Sequence, residues 1–361
     1  MDTATNQINE PVIDRRTFVQ GAVALSIAAG AGSLLAACTP VTRQERPAPI
    51  ALPTSTPAPP RRSRVALIRT DDRATGVRRA VELFGLPAVA DRQVLVKPNF
   101  NSADPAPGST HPTVLRTLVE LLQAAAPARI VVADRSGMGN TRQVMNETGA
   151  TEMAQAMGFE LIALDELDRS AWSTLDLPGS HWQRGFALPR LALEADAIVM
   201  VCCLKTHRFG GHFTLSLKNG VGLAAKTLPG EGYNYMNELH SSPLQRTLIA
   251  EINAAFAPVL VVIDGVEAFV TGGPDKGEMV AANVVLAGSD RVALDAVGVA
   301  ILRHFGTTAE VSAGSIFAQE QIARAVALGL GASNPADIEL VTDDADSAAF
   351  AAVVDVILQQ G

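Results

Sequence analysis

From Arg64 onward the chain predicts an α/β fold, a mostly parallel sheet with helices on both faces, and three observations carry that reading. Short β-branched runs, apolar on both faces, alternate with stretches of helical periodicity. Strands buried on both sides are what a parallel sheet requires, and the helices between them supply the crossovers. Polar residues also gather just after the apolar runs, where open parallel sheets bind their ligands.

Arg64-Val65-Ala66-Leu67-Ile68 reads as the first strand, and a helix follows from about Arg73 to Phe84. Gln93-Val94-Leu95-Val96-Lys97 is the next strand, halted by Pro98. Pro112 opens a helix at the position where a missing N–H costs least, and its apolar spacing runs to about Leu122. Ile130 to Ala133 forms a strand ending at Asp134, and Glu160 to Leu164 forms another. Ala197 to Cys203 is a continuous apolar strand. A long helix is expected around Pro243 to Phe256, then a strand from Val259 to Ile263 ending at Asp264. Asn283 to Ala287 precedes a helix from Arg291 to His304. The folded region is read as 64–343, with residues 344–361 as a C-terminal helix packing on it.

The N-terminus reads as an address. Arg15-Arg16 precede an Ala/Gly-rich apolar run from Val19 to Ala37, which resembles a twin-arginine export signal. Its end, Leu35-Ala36-Ala37-Cys38, resembles a bacterial lipobox, so Cys38 is the expected lipid-bearing residue after removal of residues 1–37. The alternative is an uncleaved helix, since about 19 apolar residues reach across a bilayer. Residues 38–63 carry Pro40, Pro47, Pro49, Pro53, Pro57, Pro59 and Pro60, a semi-rigid spacer. The expected location is therefore the outer face of the cytoplasmic membrane, held by a lipid. The twin-arginine route carries folded proteins and suits a metal or cofactor loaded beforehand.

Composition narrows the function. The net charge is −8 with Lys and Arg dispersed, so no basic face for nucleic acid is expected. Cys38, Cys202 and Cys203 are the three cysteines. Neighbours on a strand face opposite ways, so Cys202 and Cys203 read as apolar core. Without a Cys-x-x-Cys spacing, no intrinsic iron–sulfur cluster is expected. Ser-His-Asp order, nucleophile elbow and Walker loop are absent from the sequence, and Gly137-Met138-Gly139-Asn140 is too short for a dinucleotide site.

The strand ends carry Lys97-Pro98-Asn99, Thr110-His111-Pro112, Lys205-Thr206-His207 and Ser216-Leu217-Lys218-Asn219. Asp264-Gly265 and the run Gly288 to Asp295 follow. In this order, over residues 64–343, they resemble the DUF362 family, a domain of unknown function. The resemblance supplies a family and no reaction. Members often carry ferredoxin-type modules; this chain lacks such cysteine motifs, so the resemblance points to a redox or iron–sulfur partner on another chain.

Chemistry must come from the residues. Lys97, Lys205 and Lys218 converging on one cavity would need an anion, a phosphate or carboxylate, with Asn99 and Asn219 as further ligand contacts. Each lysine alone would read as a solvated surface charge. His111 and His207, with Lys205, are the candidate acid–base groups. His212 is a further imidazole, separated from His207 by Gly210-Gly211. Asp134 and Asp264 read either as turn caps or as ligands for a divalent metal. Asp290 and Asp295 read as supports for the helix after Ala287, and His181, His240 and His304 as structural. The set fits an enzyme using Lys/His acid–base chemistry on a small anion, or a non-catalytic binding or assembly lipoprotein.

Overall fold

The computed structural model describes residues 62–360. Residues 1–61, with the twin-arginine-like and lipobox-like stretches, Cys38 and most of the proline-rich segment, lie outside the described residues. The first strand, β1, spans Ser63–Arg69, so Ser63 belongs to the sheet and not to the spacer. Next come β2 (Gln93–Lys97), β3 (Arg129–Asp134) and β4 (Glu160–Ala163), then β5 (Trp172–Leu175) and β6 (Phe186–Pro189). β7 (Ala197–His207), β8 (His212–Thr214), β9 (Leu260–Gly272), β10 (Gly277–Val280), β11 (Val284–Gly288) and β12 (Ile338–Val341) follow.

The main sheet has the order β12-β1-β11-β9-β7-β2-β3-β4. β7 pairs in parallel with β9 and β2, β2 with β3, β3 with β4, and β1 with β12. β11 runs antiparallel to both its neighbours. β8 and β10 fold back as hairpins on β7 and β9, while β5 and β6 make a separate ribbon.

Side chains alternate across this sheet as strand geometry demands. Leu95, Met200 and Ile263 enter one core, and Val94, Val96, Val199 and Val262 enter the other. The second core is closed by Val77 of α1 (Arg73–Phe84) and Leu118 of α2 (Pro112–Ala124). Asp72 caps α1 by accepting from the Thr75 N–H at 2.6 Å. The helix Ala345–Gln360 buries Phe350, Val354 and Leu358, a one-face stripe at four-residue spacing, against the helix Arg291–His304.

Three elements differ from their sequence reading. β7 runs on to His207, because Lys205, Thr206 and His207 pair with Thr214, Phe213 and His212 of β8. β9 runs on to Gly272 through its ladder with β10. The β7 extension is polar and is held by its ladder with β8, while the β9 extension also buries Val266, Ala268, Phe269 and Val270 beyond the break at Asp264-Gly265. The expected long helix after Pro243 is a shorter one, Gln245–Ile252, preceded by Tyr235–Ser241 and followed by a tight turn over Asn253–Ala255.

A buried aspartate anchors one piece of the rim. Asp295, in the helix Arg291–His304, accepts from the N–H groups of Ser216 (2.8 Å) and Leu217 (3.2 Å), holding the short helix Ser216–Asn219. Burial pushes its carboxyl up to about 7 from 3.8. The folded state therefore holds this proton more tightly than the unfolded one. The contribution weakens as pH rises from about 4 to about 7 and is constant above. Asp295→Asn should flatten that part of the stability–pH curve, read as thermal midpoints of variant against parent. Parallel curves would refute the assignment.

Candidate functional site

The parallel strands β2, β3 and β7 end at one rim, and there the loops enclose a cavity of about 360 Å³. Lys97, Asn99, Asp134, Lys205, His207, Lys218 and Asn219 all line it. Two of the predicted residues do not. His111 is the N-cap of α2, its Nδ1 accepting from the Thr113 N–H at 3.1 Å, and burial beside Arg73 lowers its pKa. Asp264 accepts from Arg73 Nε at 2.9 Å and from the Val266 N–H.

Asp134 and Asp264, each read from sequence as a turn cap or a metal ligand, do not share a site: Asp134 lines the cavity and Asp264 does not. β3 and β9 stand three strand spacings apart, roughly 14 Å. Each carboxylate already has a cation, Lys97 for Asp134 and Arg73 for Asp264. Among the described residues no group of three or more His, Cys, Asp or Glu is placed to hold a metal.

Lys97 is fully buried at the end of β2. Its Nζ donates to Asp134 Oδ1 (2.7 Å), Pro98 O (2.6 Å) and Asn219 Oδ1 (3.1 Å), which uses all three ammonium protons. Asp134 is equally occupied, accepting also from the Phe100 and Arg135 N–H groups. Burial lowers the lysine and raises the carboxyl, while each charge steadies the other. Gly222 passes directly over the pair, and a Cβ there would strike Asp134 Oδ1 and lie 2.6 Å from Lys97 Nζ. Asn219 ties the loops together, donating through Nδ2 to Val201 O at 3.0 Å.

The other cations differ in how much they leave free. Arg135, buried, spends its guanidinium on Ala224 O (2.8 Å), Val221 O (3.0 Å) and Ser136 O (3.0 Å), so it contributes a fixed charge. Lys205 donates to Gly108 O and to Pro274 O (3.1 Å), which leaves one N–H. Burial lowers its pKa. Lys218, on the helix Ser216–Asn219, donates to no acceptor among the described residues. Burial first, then the charges of Arg135, Lys205 and Lys97, bring its pKa down to about 8.

Two imidazoles complete the wall. His207 is buried with Nδ1 unpartnered, and burial, Lys218 and Lys205 hold it well below the usual range, so it is neutral at pH 7. His240, read from sequence as structural, lines the cavity from the helix Tyr235–Ser241. Its Nδ1 lies 2.7 Å from Met236 O; a carbonyl only accepts, so Nδ1 carries the proton and Nε2 is an acceptor. Asn237 shares that face at i, i+3, a helical spacing that could have marked the pair.

A plainer signal also lay in the sequence. The whole chain has five lysines among 29 basic residues. Four of them, Lys97, Lys205, Lys218 and Lys226, line this cavity. With Arg135 they make five cations against the single carboxylate of Asp134.

The comparisons with known proteins bear on this arrangement. A Synechocystis sp. protein described as thylakoid-associated is 26% identical over 216 residues, 58% of this chain and 63% of that protein. The chain thus spans less than two thirds of that relative's length. The lactate racemase apoprotein from Thermoanaerobacterium thermosaccharolyticum matches at 16% identity and a TM-score of 0.37, covering 65% of this chain and 57% of that one. A Thermotoga maritima protein matches at 12% identity and a TM-score of 0.37, covering 57% of this chain and 52% of the other. The family described as a domain of unknown function, DUF362, matches residues 94–300, which contain the strand-end motifs from Lys97 to Asp295 and every cavity residue named above. With more than half of its length inside that match, this chain belongs to the DUF362 family.

Proposed function

We propose that this chain is an exported lipoprotein, anchored through Cys38, whose α/β domain binds a small anion in the rim cavity and moves a proton on it. The observation that carries the binding claim is the unbalanced cavity: five cations, one carboxylate, and a lysine with no acceptor. Lys97, Arg135 and Lys205 are buried and Lys218 is half-buried, with one carboxylate among them; gathering like charges in this way is costly, and a carboxylate or phosphate ligand supplies the missing charge. Lys97 and Arg135 act as fixed positive charge, Lys205 and Lys218 contact the anion, and Asn99 and Asn219 shape the floor. Lys218 can take or give a proton near neutral pH, beside the neutral imidazoles of His207 and His240. His111 and Asp264 serve α1 and α2 and have no role in this scheme.

Calorimetric titration of the full chain in mild detergent with phosphate, lactate and lactamide tests the binding claim. Saturable heat with the two anions and none with the neutral amide is expected. No saturation with either anion would sink it. Saturable binding without turnover of any tested anion would leave a non-catalytic binding lipoprotein.

The anchoring claim rests on Arg15-Arg16 and the Leu35 to Cys38 motif. The description of the Synechocystis relative as thylakoid-associated agrees with a membrane-proximal place. Cys38→Ser should release the protein from membranes or stall its processing. An unchanged membrane fraction with an intact N-terminus would favour the uncleaved helix.

A further inference from the structure

We propose that Lys218 condenses with the carbonyl carbon of a small oxo acid, forming a protonated imine while the acid's carboxylate rests against Lys205 and the fixed charge of Arg135. This rests on the reading of the cavity as an anion site and names its substrate class. Three observations on separate residues support it.

The first is the contrast among the cations. Lys97 donates three hydrogen bonds to protein acceptors and Lys205 donates two, so both amines are tied in place by the protein. Lys218 has no acceptor and instead faces the charges of Arg135, Lys205 and Lys97. A lysine serving only to hold an anion gains nothing from such neighbours, since they favour its uncharged form. An amine that must attack a carbonyl gains directly, because only the uncharged form is nucleophilic. A pKa of about 8 leaves roughly one-tenth of it free at pH 7, some 300-fold more than for a lysine at 10.5.

The second is the choice of residue. Outside the cavity the positive charge of this chain is carried almost wholly by arginine, and four of its five lysines line the cavity. Arginine matches lysine as a cation but stays protonated and forms no imine at neutral pH. Anion binding alone would not require that selection.

The third is the pair of uncharged imidazoles close enough to Lys218 to feel its charge. The chemistry needs groups that pass protons without fixing them. The amine nitrogen bonds to the carbonyl carbon, and one of its protons moves to the oxygen, giving a carbinolamine. The C–O bond then breaks, and the oxygen departs as water with a second proton delivered through an imidazole. Counting from the ammonium, Lys–NH3⁺ and O=C become Lys–NH⁺=C and H2O. Charge and atoms balance with no further reactant, and the imine retains the positive charge that the bound carboxylate faces.

The test is reductive trapping. The full chain is incubated separately with pyruvate, acetoacetate and 2-oxoglutarate in the presence of cyanoborohydride, and the sites of alkylation are mapped by peptide mass spectrometry. One adduct per chain on Lys218 is expected with at least one of the acids, and Lys276, outside the cavity, serves as the internal reference. Lys218→Arg should lose the adduct, since a guanidinium forms no imine at neutral pH. Lactate binding with no Lys218 adduct from any of the three acids overturns the imine and leaves the anion site standing. Alkylation of Lys218 no faster than that of Lys276 also overturns it. Loss of lactate and phosphate binding in the unmodified chain removes the anion reading itself.

Discussion

Lys218→Met should lower the affinity for phosphate or lactate by about 10- to 100-fold, the worth of one charge-assisted hydrogen bond of roughly 1.5–3 kcal/mol. Methionine keeps the length and apolar stem of the side chain, so loss of packing is small. The size follows from Lys218 being a half-buried cavity cation with no competing protein acceptor among the described residues. The same substitution at Lys97 would test folding instead, since its protons already serve Asp134, Pro98 and Asn219. The pH profile gives an independent reading. With the Lys218 pKa at about 8, anion affinity in the parent should fall as pH rises through that value and the ammonium is lost. Lys218→Met should lack this step. Imine trapping should show the opposite sign, rising through pH 8 as free amine accumulates. An unchanged dissociation constant in the variant would transfer the ligand contact to Lys205 or Lys226.

Asp134→Ala should destabilise the domain by about 3–5 kcal/mol, the range found when one partner of a buried ion pair is removed. For a domain of this size that corresponds to a thermal midpoint lowered by about 5–8 °C. Three losses coincide: Lys97 keeps a buried charge without its counter-ion, and the Phe100 and Arg135 N–H groups lose their acceptor. The double substitution Lys97→Met, Asp134→Leu removes both charges together and should recover a large part of the loss. A single-variant effect below about 1 kcal/mol would match an exposed pair rather than a buried one. That outcome would refute the enclosed rim built on Lys97.

The polar rim shows where local pattern stops being informative. Hydrophobic periodicity located β2, α1 and the helix Arg291–His304 to the residue, because burial on a sheet or helix face is written in side-chain type at fixed spacing. The ends of β7 and β9 were read too short, since Lys205-Thr206-His207 and Phe269-Val270-Thr271 extend as strands through hydrogen bonds to β8 and β10. His240 gave no signal among its neighbours, yet it lines the cavity; His111 sat in a family motif, yet it caps α2.

From sequence alone follow the α/β class, the helices on both faces, the DUF362 membership and the expectation that Lys97, Lys205 and Lys218 meet at one rim of the sheet. Which of those lysines is free was decided only in three dimensions. The acceptors that occupy Lys97 and Lys205 lie between one and 122 residues away, on Pro98, Gly108, Asp134, Asn219 and Pro274. Hydrogen-bond saturation and burial depend on what the folded chain brings near a side chain, and residue order does not encode that locally. The separation of Asp134 from Asp264 has the same cause: strand order in the sheet, set by crossovers, placed them three strands apart, each beside its own cation.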